Sequence, residues 1–142
     1  MKRFLLVFAT ALLASGAFAQ NAATEQFAGI ITDASQQSWL QIAPDAAATF
    51  IFEVEPFLLD VRRQDEYDLG RIEGAVLIPI TELGGRLGEL PTDLNTPMIV
   101  YCGVGVRGQY GLTMLKLAGY TNVKNLSGGF NAWKAAGFPI EE

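Results

Sequence analysis

The amino-acid sequence predicts an α/β fold in which helices pack on a mostly parallel sheet. Short apolar, β-prone runs alternate with segments of helical pattern, an arrangement typical of parallel α/β sheets. One such run, Phe57–Val61, is apolar except for Asp60 near its end, as expected of a strand that is buried on both faces. The chain has 142 residues, which is enough for one domain with a hydrophobic core of its own.

The first half of the chain supplies three predicted strands and two predicted helices. A short edge strand is predicted over residues 39–42, and Pro44, which suits a first helical turn, begins an alanine-rich helix. The strand Phe57–Val61 is followed by a short helix over residues 64–69. A second core strand is predicted over residues 74–78, and a proline closes it.

The second half continues this alternation. Its predicted elements are a helix over residues 82–90, a strand over 97–102, a helix over 109–117, a strand over 123–126 and a last helix that ends at Ala136. Thr81 and Ser127 are expected to cap the first and last of these helices. Gly119 is expected to end the middle helix, because glycine readily adopts the left-handed conformation found after helix termini.

The only cysteine, Cys102, opens a glycine-rich turn between a predicted strand and a predicted helix. Backbone N–H groups converge at such a turn, and together with the positive end of the helix they favour an anion. The same field lowers the pKa of a thiol and makes it a nucleophile. The alternative, a buried cysteine that packs as a small hydrophobe, leaves the glycines and Arg107 unexplained. Asp60 also follows a strand, so we expect it near Cys102.

Composition excludes several classes of function. The chain has no histidine, which removes Cys-His and Ser-His catalysis and argues against a zinc site, so no metal is expected. Without Lys2 and Arg3, 8 basic residues remain against 15 acidic ones, a net charge of −7. An acidic surface argues against nucleic-acid binding, and an anionic substrate would have to be attracted locally.

The N-terminus predicts export. Residues 1–19 combine a basic start, an apolar run too short to span a bilayer comfortably, and small residues where a signal peptidase cleaves. An uncleaved membrane anchor is the alternative. We therefore expect a cleavable signal peptide, a lead-in segment over residues 20–38 and a single domain over residues 39–142. The mature protein is expected in the periplasm or outside the cell, without stable membrane association, and its single cysteine cannot form an internal disulfide.

Four motifs, in order, resemble those of the rhodanese family of sulfurtransferases, over roughly residues 42–140. Each motif alone is weak, whereas all four in sequence are specific. They are Leu59-Asp60-Val61-Arg62 with Glu66-Tyr67, Gly70-Arg71-Ile72-Glu73-Gly74-Ala75 with Ile78-Pro79, Tyr101-Cys102 with Gly105 and Arg107, and Gly128-Gly129-Phe130 with Ala132-Trp133 and Gly137-Phe138-Pro139.

The resemblance implies a five-stranded parallel sheet with helices on both faces, and it assigns the chemistry to Cys102. The family's loop cysteine takes a sulfane sulfur from a donor, such as thiosulfate or a persulfide, and holds it as a persulfide. The sulfur then passes to cyanide, to a thiol or to an acceptor protein, and no cofactor is implied. The residues expected to bind the substrate are those of the loop, Gly103, Val104, Gly105, Val106 and Arg107.

Three further residues are candidates for a supporting role. Asp60 is expected to order the loops at the strand end, and Arg62 to pair with Glu66 or another acid nearby. Arg71 stands where the family often has histidine, and it is expected on the surface, with anion attraction as the alternative. Arg107 itself is expected to place positive charge near the loop, either for the substrate or as a brace. The aromatic residues Phe130 and Trp133 are expected in the core.

The loop departs from the family in two respects. Gly108 stands where a serine is common, which removes a hydroxyl donor. Gly103, Val104 and Val106 carry no charge, whereas members that use thiosulfate well often have basic residues there. A less charged donor, such as a persulfide, therefore stays open beside thiosulfate.

Two alternative functions stay open on sequence grounds. Cysteine phosphatases and arsenate reductases have a related loop with five residues between cysteine and arginine, which makes room for a tetrahedral oxyanion. Only four residues separate Cys102 from Arg107, so the loop favours a single sulfur atom. The second alternative is a partner-specific sulfur carrier or a non-catalytic interaction module, and the presence of Cys102 argues against the latter.

Overall fold

The computed structural model describes residues 22, 24–30, 32 and 40–142. The chain divides into two compact units, with the boundary between residues 36 and 37. The described residues of the first unit are helical, and the second unit contains the sheet. The predicted signal peptide and the predicted boundaries at residues 19 and 38 lie outside the described residues and stay predictions. In the described part of the chain, no helix is both long enough and apolar enough to cross a membrane.

Five strands form one sheet, in which every pairing between strands is parallel. The predicted parallel α/β fold is therefore confirmed. The strands are β1 Gln41–Ile42, β2 Phe57–Asp60, β3 Val76–Leu77, β4 Met98–Tyr101 and β5 Val123–Leu126. Their order across the sheet is β1-β5-β4-β2-β3, which places β4 at the centre. The predicted edge strand began at Trp39, which lies outside the described residues.

Three α-helices and two short 3-10 helices lie between the strands, and a fourth α-helix follows β5. They are α1 Pro44–Val54, α2 Gln64–Asp68, α3 Val106–Leu117 and α4 Gly129–Ala135, with the 3-10 helices at Leu83–Gly85 and Leu87–Glu89. Pro44 is the first residue of α1, as predicted, because its missing N–H has no partner to lose there. Gly119 follows the end of α3 with φ +100°, which is the left-handed conformation expected of it.

The prediction of one helix over residues 82–90, capped by Thr81, was wrong. The segment forms the two 3-10 helices instead, and Thr81 is not the capping residue of either. Gly84, Gly85 and Gly88 lie within it, and each glycine costs about 1 kcal/mol relative to alanine in a helix interior. Three such penalties within five residues outweigh the favourable residues between them.

The expected cap of α4 was also wrong. Gly128, and not Ser127, occupies the capping position, and no side chain caps the helix. Gly128 and Gly129 both have positive φ, +71° and +60°, and a Cβ on Gly129 would lie 2.2 Å from the carbonyl oxygen of Cys102. The two glycines therefore allow the start of α4 to approach the residues that follow β4.

The core lies around the central strands. All four residues of β4 are completely buried, and Phe130 and Trp133 from α4 are 7% and 4% exposed, as predicted. Burial raises the pKa of Tyr101, the last residue of β4, whose hydroxyl oxygen accepts a hydrogen bond from the Ile72 N–H. The loop that follows β4 is thus built on the most rigidly packed strand of the sheet.

Candidate active site

The two central strands bring the predicted site residues to one edge of the sheet. β2 and β4 are neighbours, and Asp60 is paired in register with Tyr101, the residue before Cys102. Both strands run in the same direction, so Asp60 and Cys102 lie at the carboxyl ends of adjacent strands, where α/β sheets bind ligands. The expected proximity of these two residues follows from this register.

Cys102 lies at the base of the loop, with its sulfur inside the protein. The residue is completely buried and its thiol forms no disulfide. The backbone N–H of Gly105 donates a hydrogen bond to Sγ at 3.1 Å. Gly105 has φ +96°, a conformation that glycine adopts without strain and that turns its N–H back toward the sulfur.

The other loop residues divide between the inside and the surface. Val104 and Val106 each have 60% of their surface exposed, so their side chains point away from the sulfur. Gly103 is half-buried, and a Cβ at this position would lie 3.5 Å from Nη2 of Arg107 and 3.6 Å from Oε1 of Glu66. The side chains of Arg107 and Glu66 therefore lie directly against the backbone of the loop.

Arg107 and Glu66 form a bidentate ion pair. Nη1 and Nη2 of the guanidinium each donate to one carboxylate oxygen of Glu66, both at 2.7 Å. The hydrogen bond from Arg107 lowers the pKa of Glu66 from 4.5 to about 2. Glu66 is the main cause of the raised pKa of Arg107, and the neighbouring Cys102 raises it further. The pair joins α2 to the loop, so the positive charge of Arg107 is balanced by a carboxylate.

Arg62 pairs with Asp60. This is the expected pairing with another acid nearby, and not the pairing with Glu66. Nε and Nη2 of Arg62 donate to the Asp60 carboxylate at 2.9 and 2.6 Å, and its backbone N–H donates to the same group at 2.9 Å. Nη2 also donates to the carbonyl oxygen of Gly70, at 2.7 Å. Both side chains are buried, and the guanidinium lies 4.2 Å from the centre of the Phe130 ring. Asp60 thereby fixes the chain that follows β2.

Arg71 takes part in a separate cluster. It exchanges two backbone hydrogen bonds of 2.9 Å with Glu141 and forms an ion pair with the carboxylate of that residue. Its guanidinium lies 4.7 Å from the centre of the Tyr67 ring. The hydrogen bond that Arg71 donates to the Glu141 carboxylate raises the pKa of Arg71. Arg71 is not among the residues that line the cavity beside the Cys102 loop.

An open cavity of about 390 Å³ lies beside the loop. It is lined by Arg62, Glu66, Leu69, Gly103, Val104, Arg107, Phe130, Asn131 and Lys134. Two of its three cationic side chains, those of Arg62 and Arg107, are paired with carboxylates. Lys134, an exposed residue of α4, forms no ion pair with another described residue.

Sequence reasoning missed the contribution of α4 to this cavity. The N–H groups of Phe130 and Asn131 donate to the carbonyl oxygens of Cys102 and Gly103, at 2.7 and 3.0 Å. These bonds dock the first turn of α4 on the loop and place Lys134 at the cavity. The helical spacing of three residues between Asn131 and Lys134 is the signal that could have revealed this lysine.

The described part of the chain contains no set of side chains arranged as metal ligands. No group of three or more histidine, cysteine, aspartate or glutamate residues in that part is arranged to hold a metal ion. Cys102 is completely buried and is not among the residues that line the cavity. The cavity itself offers the loop residues Gly103 and Val104 and the ammonium group of Lys134, which has no carboxylate partner among the described residues.

Comparisons with known proteins point to one family. The model of the rhodanese-like domain matches residues 43–136 of this chain. The chain is 34% identical over 114 residues to the probable adenylyltransferase/sulfurtransferase MoeZ of Mycobacterium tuberculosis, a match that covers 77% of this chain but only 29% of MoeZ. It is 31% identical over 104 residues to thiosulfate sulfurtransferase GlpE of Actinobacillus succinogenes, covering 73% of this chain and 92% of GlpE.

A solved structure with a similar fold supports the same relationship. The crystal structure of a rhodanese-related protein from Thermoplasma volcanium superimposes with a TM-score of 0.65 at 28% sequence identity. The superposition covers 71% of this chain and 96% of that one.

Proposed function

Because the chain belongs to the family of rhodanese-like domains, we propose that it is a sulfurtransferase that carries sulfur on Cys102. Relatives that bear the name sulfurtransferase support sulfur transfer in general. The observation that carries the proposal for this chain is the 3.1 Å hydrogen bond from the Gly105 N–H to Sγ of Cys102. An N–H donor directed at a sulfur stabilises the negative charge that both the thiolate and the persulfide bear.

The first half-reaction loads the sulfur. The thiolate of Cys102 attacks the outer sulfur of thiosulfate, and a sulfur–sulfur bond forms between them. The sulfur–sulfur bond of thiosulfate breaks at the same time, and sulfite leaves with the electron pair. No proton has to move in this exchange, so the absence of histidine from the chain is no obstacle.

The second half-reaction returns the enzyme to its starting state. The carbon of cyanide, or the sulfur of a thiolate acceptor, attacks the terminal sulfur of the Cys102 persulfide. The bond between the two sulfurs of the persulfide breaks, and its electron pair stays on Cys102 as the thiolate. The products are thiocyanate or the acceptor's persulfide, and the Gly105 N–H again faces a single anionic sulfur.

The size of the loop favours sulfur over phosphate chemistry. Only four residues separate Cys102 from Arg107, and the guanidinium of Arg107 is held by both oxygens of Glu66. An oxyanion would have to compete with this carboxylate for the same donors. A single sulfur atom needs only the backbone N–H that the loop already directs at it.

Lys134 favours an anionic donor. It is the one cavity-lining cation without a carboxylate partner among the described residues, and it lies in the cavity wall with the loop residues Gly103 and Val104. The loop itself contributes no such charge, which was the reason to keep less charged donors open. We therefore propose thiosulfate or an anionic persulfide as the donor, attracted by α4 and not by the loop.

A partner-specific sulfur carrier is the second candidate. Leu69 and Val104, both in the cavity wall, have 80% and 60% of their surface exposed, and Val106 on the same loop has 60% exposed. Apolar side chains around a reactive group are suited to contact with a protein acceptor. Fast transfer to a protein thiol with slow turnover on cyanide would favour this candidate.

We also propose that the protein acts after export, in the periplasm or outside the cell. The support is the composition of residues 1–19, which combines a basic start, a short apolar run and small residues before Gln20. An unpaired thiol in an oxidising compartment is exposed to oxidation. The burial of Cys102 is consistent with a thiol that must survive there.

Steady-state kinetics test the proposed activity. Thiocyanate formation is measured at several fixed cyanide concentrations while thiosulfate is varied. A sulfur-carrying cysteine predicts a ping-pong pattern of parallel double-reciprocal lines, and complete loss of turnover in Cys102→Ser with the fold intact. Intersecting lines, or activity that persists in Cys102→Ser, would remove Cys102 from the role of carrier.

A further inference from the structure

Gly105 has hydrogen bonds through both of its backbone polar groups, which belong to the two peptide groups joined at its Cα. Its N–H donates to Sγ of Cys102 at 3.1 Å. Its carbonyl oxygen accepts from the N–H of Gln109 at 3.0 Å, which is the first hydrogen bond of α3. With φ at +96° and ψ at −18°, the orientation of the Gly105 carbonyl therefore sets the direction of its N–H toward the sulfur.

Asn125 binds the carbonyl group of Gly105. This residue lies in β5, next to the central strand, and only 3% of its surface is exposed. Its Nδ2 donates to the carbonyl oxygen of Gly105 at 3.1 Å. A side chain from a neighbouring strand thus binds the carbonyl oxygen of Gly105, whose N–H faces the sulfur.

Two glutamines orient the amide of Asn125. Nδ2 also donates to Oε1 of Gln41 at 3.1 Å, and it lies 3.5 Å from Oε1 of Gln109. Gln41 in turn donates to Oε1 of Gln109. These contacts join β1, β5 and the first turn of α3 around the Gly105 carbonyl, and they leave the Asn125 amide little freedom to rotate.

The oxygen of the Asn125 amide has no hydrogen-bond partner among the described residues. Its Oδ1 is buried and accepts no hydrogen bond from a described residue. A Cβ on Gly108 would lie 2.2 Å from this oxygen, so Oδ1 occupies the space beside the Gly108 backbone. A buried oxygen without a donor destabilises the fold, and an apolar side chain of similar size would avoid that cost. What the amide provides in return is the Nδ2 donor.

We propose that Asn125 is a positioning residue for sulfur transfer, which holds the Gly105 carbonyl and thereby the backbone of Gly105, so that the Gly105 N–H faces the Cys102 sulfur. This proposal rests on the proposed function and adds to it a residue outside the loop. Asn125 is not among the residues that line the cavity, and its amide contacts the Gly105 carbonyl. Its loss should therefore lower kcat and leave KM for the donor unchanged.

The test compares Asn125→Ala with Val123→Ala. Val123 is completely buried in the same strand but is paired with Met98, at the end of β4 opposite to Cys102, so it controls for loss of stability. We expect Asn125→Ala to lower kcat about tenfold with KM for thiosulfate unchanged, since a displaced N–H donor weakens charge stabilisation at the sulfur. Val123→Ala should keep kcat close to the wild-type value at a temperature where both variants are folded.

Amide hydrogen exchange provides a readout that activity does not. In Asn125→Ala the Gly105 amide should exchange faster relative to the amides of β4, whereas Val123→Ala should change all of these amides alike. Equal losses of kcat in both variants, or an unchanged relative exchange rate of Gly105, would overturn the proposal. If the wild type transfers no sulfur, the proposed function fails, and the exchange rate of Gly105 still decides whether Asn125 holds the loop.

A second variant covers the case in which Asn125→Ala does not fold. Gln41 is exposed on the edge strand β1, so Gln41→Ala is expected to fold, and it removes one of the acceptors that orient Asn125. We expect kcat to fall about twofold to threefold, in line with the loss of one modest hydrogen bond, with faster exchange of the Gly105 amide. No change in either quantity would overturn the proposal.

Discussion

Glu66→Gln should remove the part of the acid sensitivity of the protein's stability that the Glu66–Arg107 ion pair contributes. The ion pair with Arg107 holds the pKa of Glu66 at about 2, against 4.5 for an unperturbed glutamate. At about 1.4 kcal/mol per pH unit, this difference corresponds to about 3 kcal/mol. Both side chains retain some exposure, 31% for Arg107 and 24% for Glu66, so solvent screening reduces the figure to roughly 2 kcal/mol.

The sign of the effect follows from the direction of the shift. A carboxylate whose pKa is lowered by folding contributes stability that is fully present above about pH 4.5 and is lost as the pH falls toward 2. Glutamine cannot ionise, so Glu66→Gln lacks this contribution at every pH. The variant should therefore be about 2 kcal/mol less stable than the wild type at pH 7, and the difference should shrink as the pH is lowered to 2.

Urea denaturation at pH 7, 5, 3.5 and 2.5 measures this difference. Glu82→Gln serves as the matched control, because it breaks an ion pair with Arg86 on the protein surface. The control should stay close to the wild type over the whole pH range. A difference between Glu66→Gln and the wild type that is the same at pH 7 and pH 2.5 would refute the reasoning, since it would show that the charge of Glu66 does not stabilise the fold.

Two further predictions concern the cavity and the start of α4. Lys134→Gln should raise KM for thiosulfate about fivefold, the loss of about 1 kcal/mol of attraction, without a comparable change for a neutral trisulfide donor, whereas Lys116→Gln should change neither. Gly129→Ala should destabilise the protein by roughly 3 kcal/mol, because its Cβ would lie 2.2 Å from the Cys102 carbonyl oxygen in addition to the left-handed strain. Gly137 has φ +80° but open space around it, so Gly137→Ala should lower the free energy of unfolding by only about 1 kcal/mol. Thermal melting of both variants measures this difference.

Local patterns were sufficient to predict the frame of the fold. The strands β2 and β4 are mostly apolar runs, whereas β5 has two polar residues between Val123 and Leu126. The positions of all three strands agree with the predicted ones to within about one residue. The parallel arrangement follows from the alternation of strands and helices. The position of Cys102 at a strand end was predictable for the same reason, because a glycine-rich turn between a strand and a helix is a local feature.

Elements that depend on competing local preferences were harder to predict. The segment around Gly84 and Gly88 has helical residues but too many glycines for an α-helix. The start of α4 is decided by the close approach of Gly129 to Cys102, a contact between residues 27 positions apart. A serine before a helix normally predicts a cap, and here tertiary packing replaces it.

The pairing of charged side chains could not be derived from spacing alone. Arg62 and Arg107 both lie near acids in the fold, and the sequence left Glu66 or another nearby acid open as the partner of Arg62. The structure gives Asp60 to Arg62 and Glu66 to Arg107, because α2 brings Glu66 over the loop. The roles of Lys134 and Asn125 depend likewise on which residues α4 and β5 present to the loop, which a single sequence does not reveal.

Intact-mass spectrometry of the purified protein, before and after incubation with thiosulfate, tests the central proposal most directly. A sulfur carrier at Cys102 predicts a gain of one sulfur atom in the wild type, reversal of that gain by cyanide, and no gain in Cys102→Ser. A wild-type protein with a free, reduced thiol that gains no mass from thiosulfate or from a small persulfide would contradict sulfur transfer through Cys102.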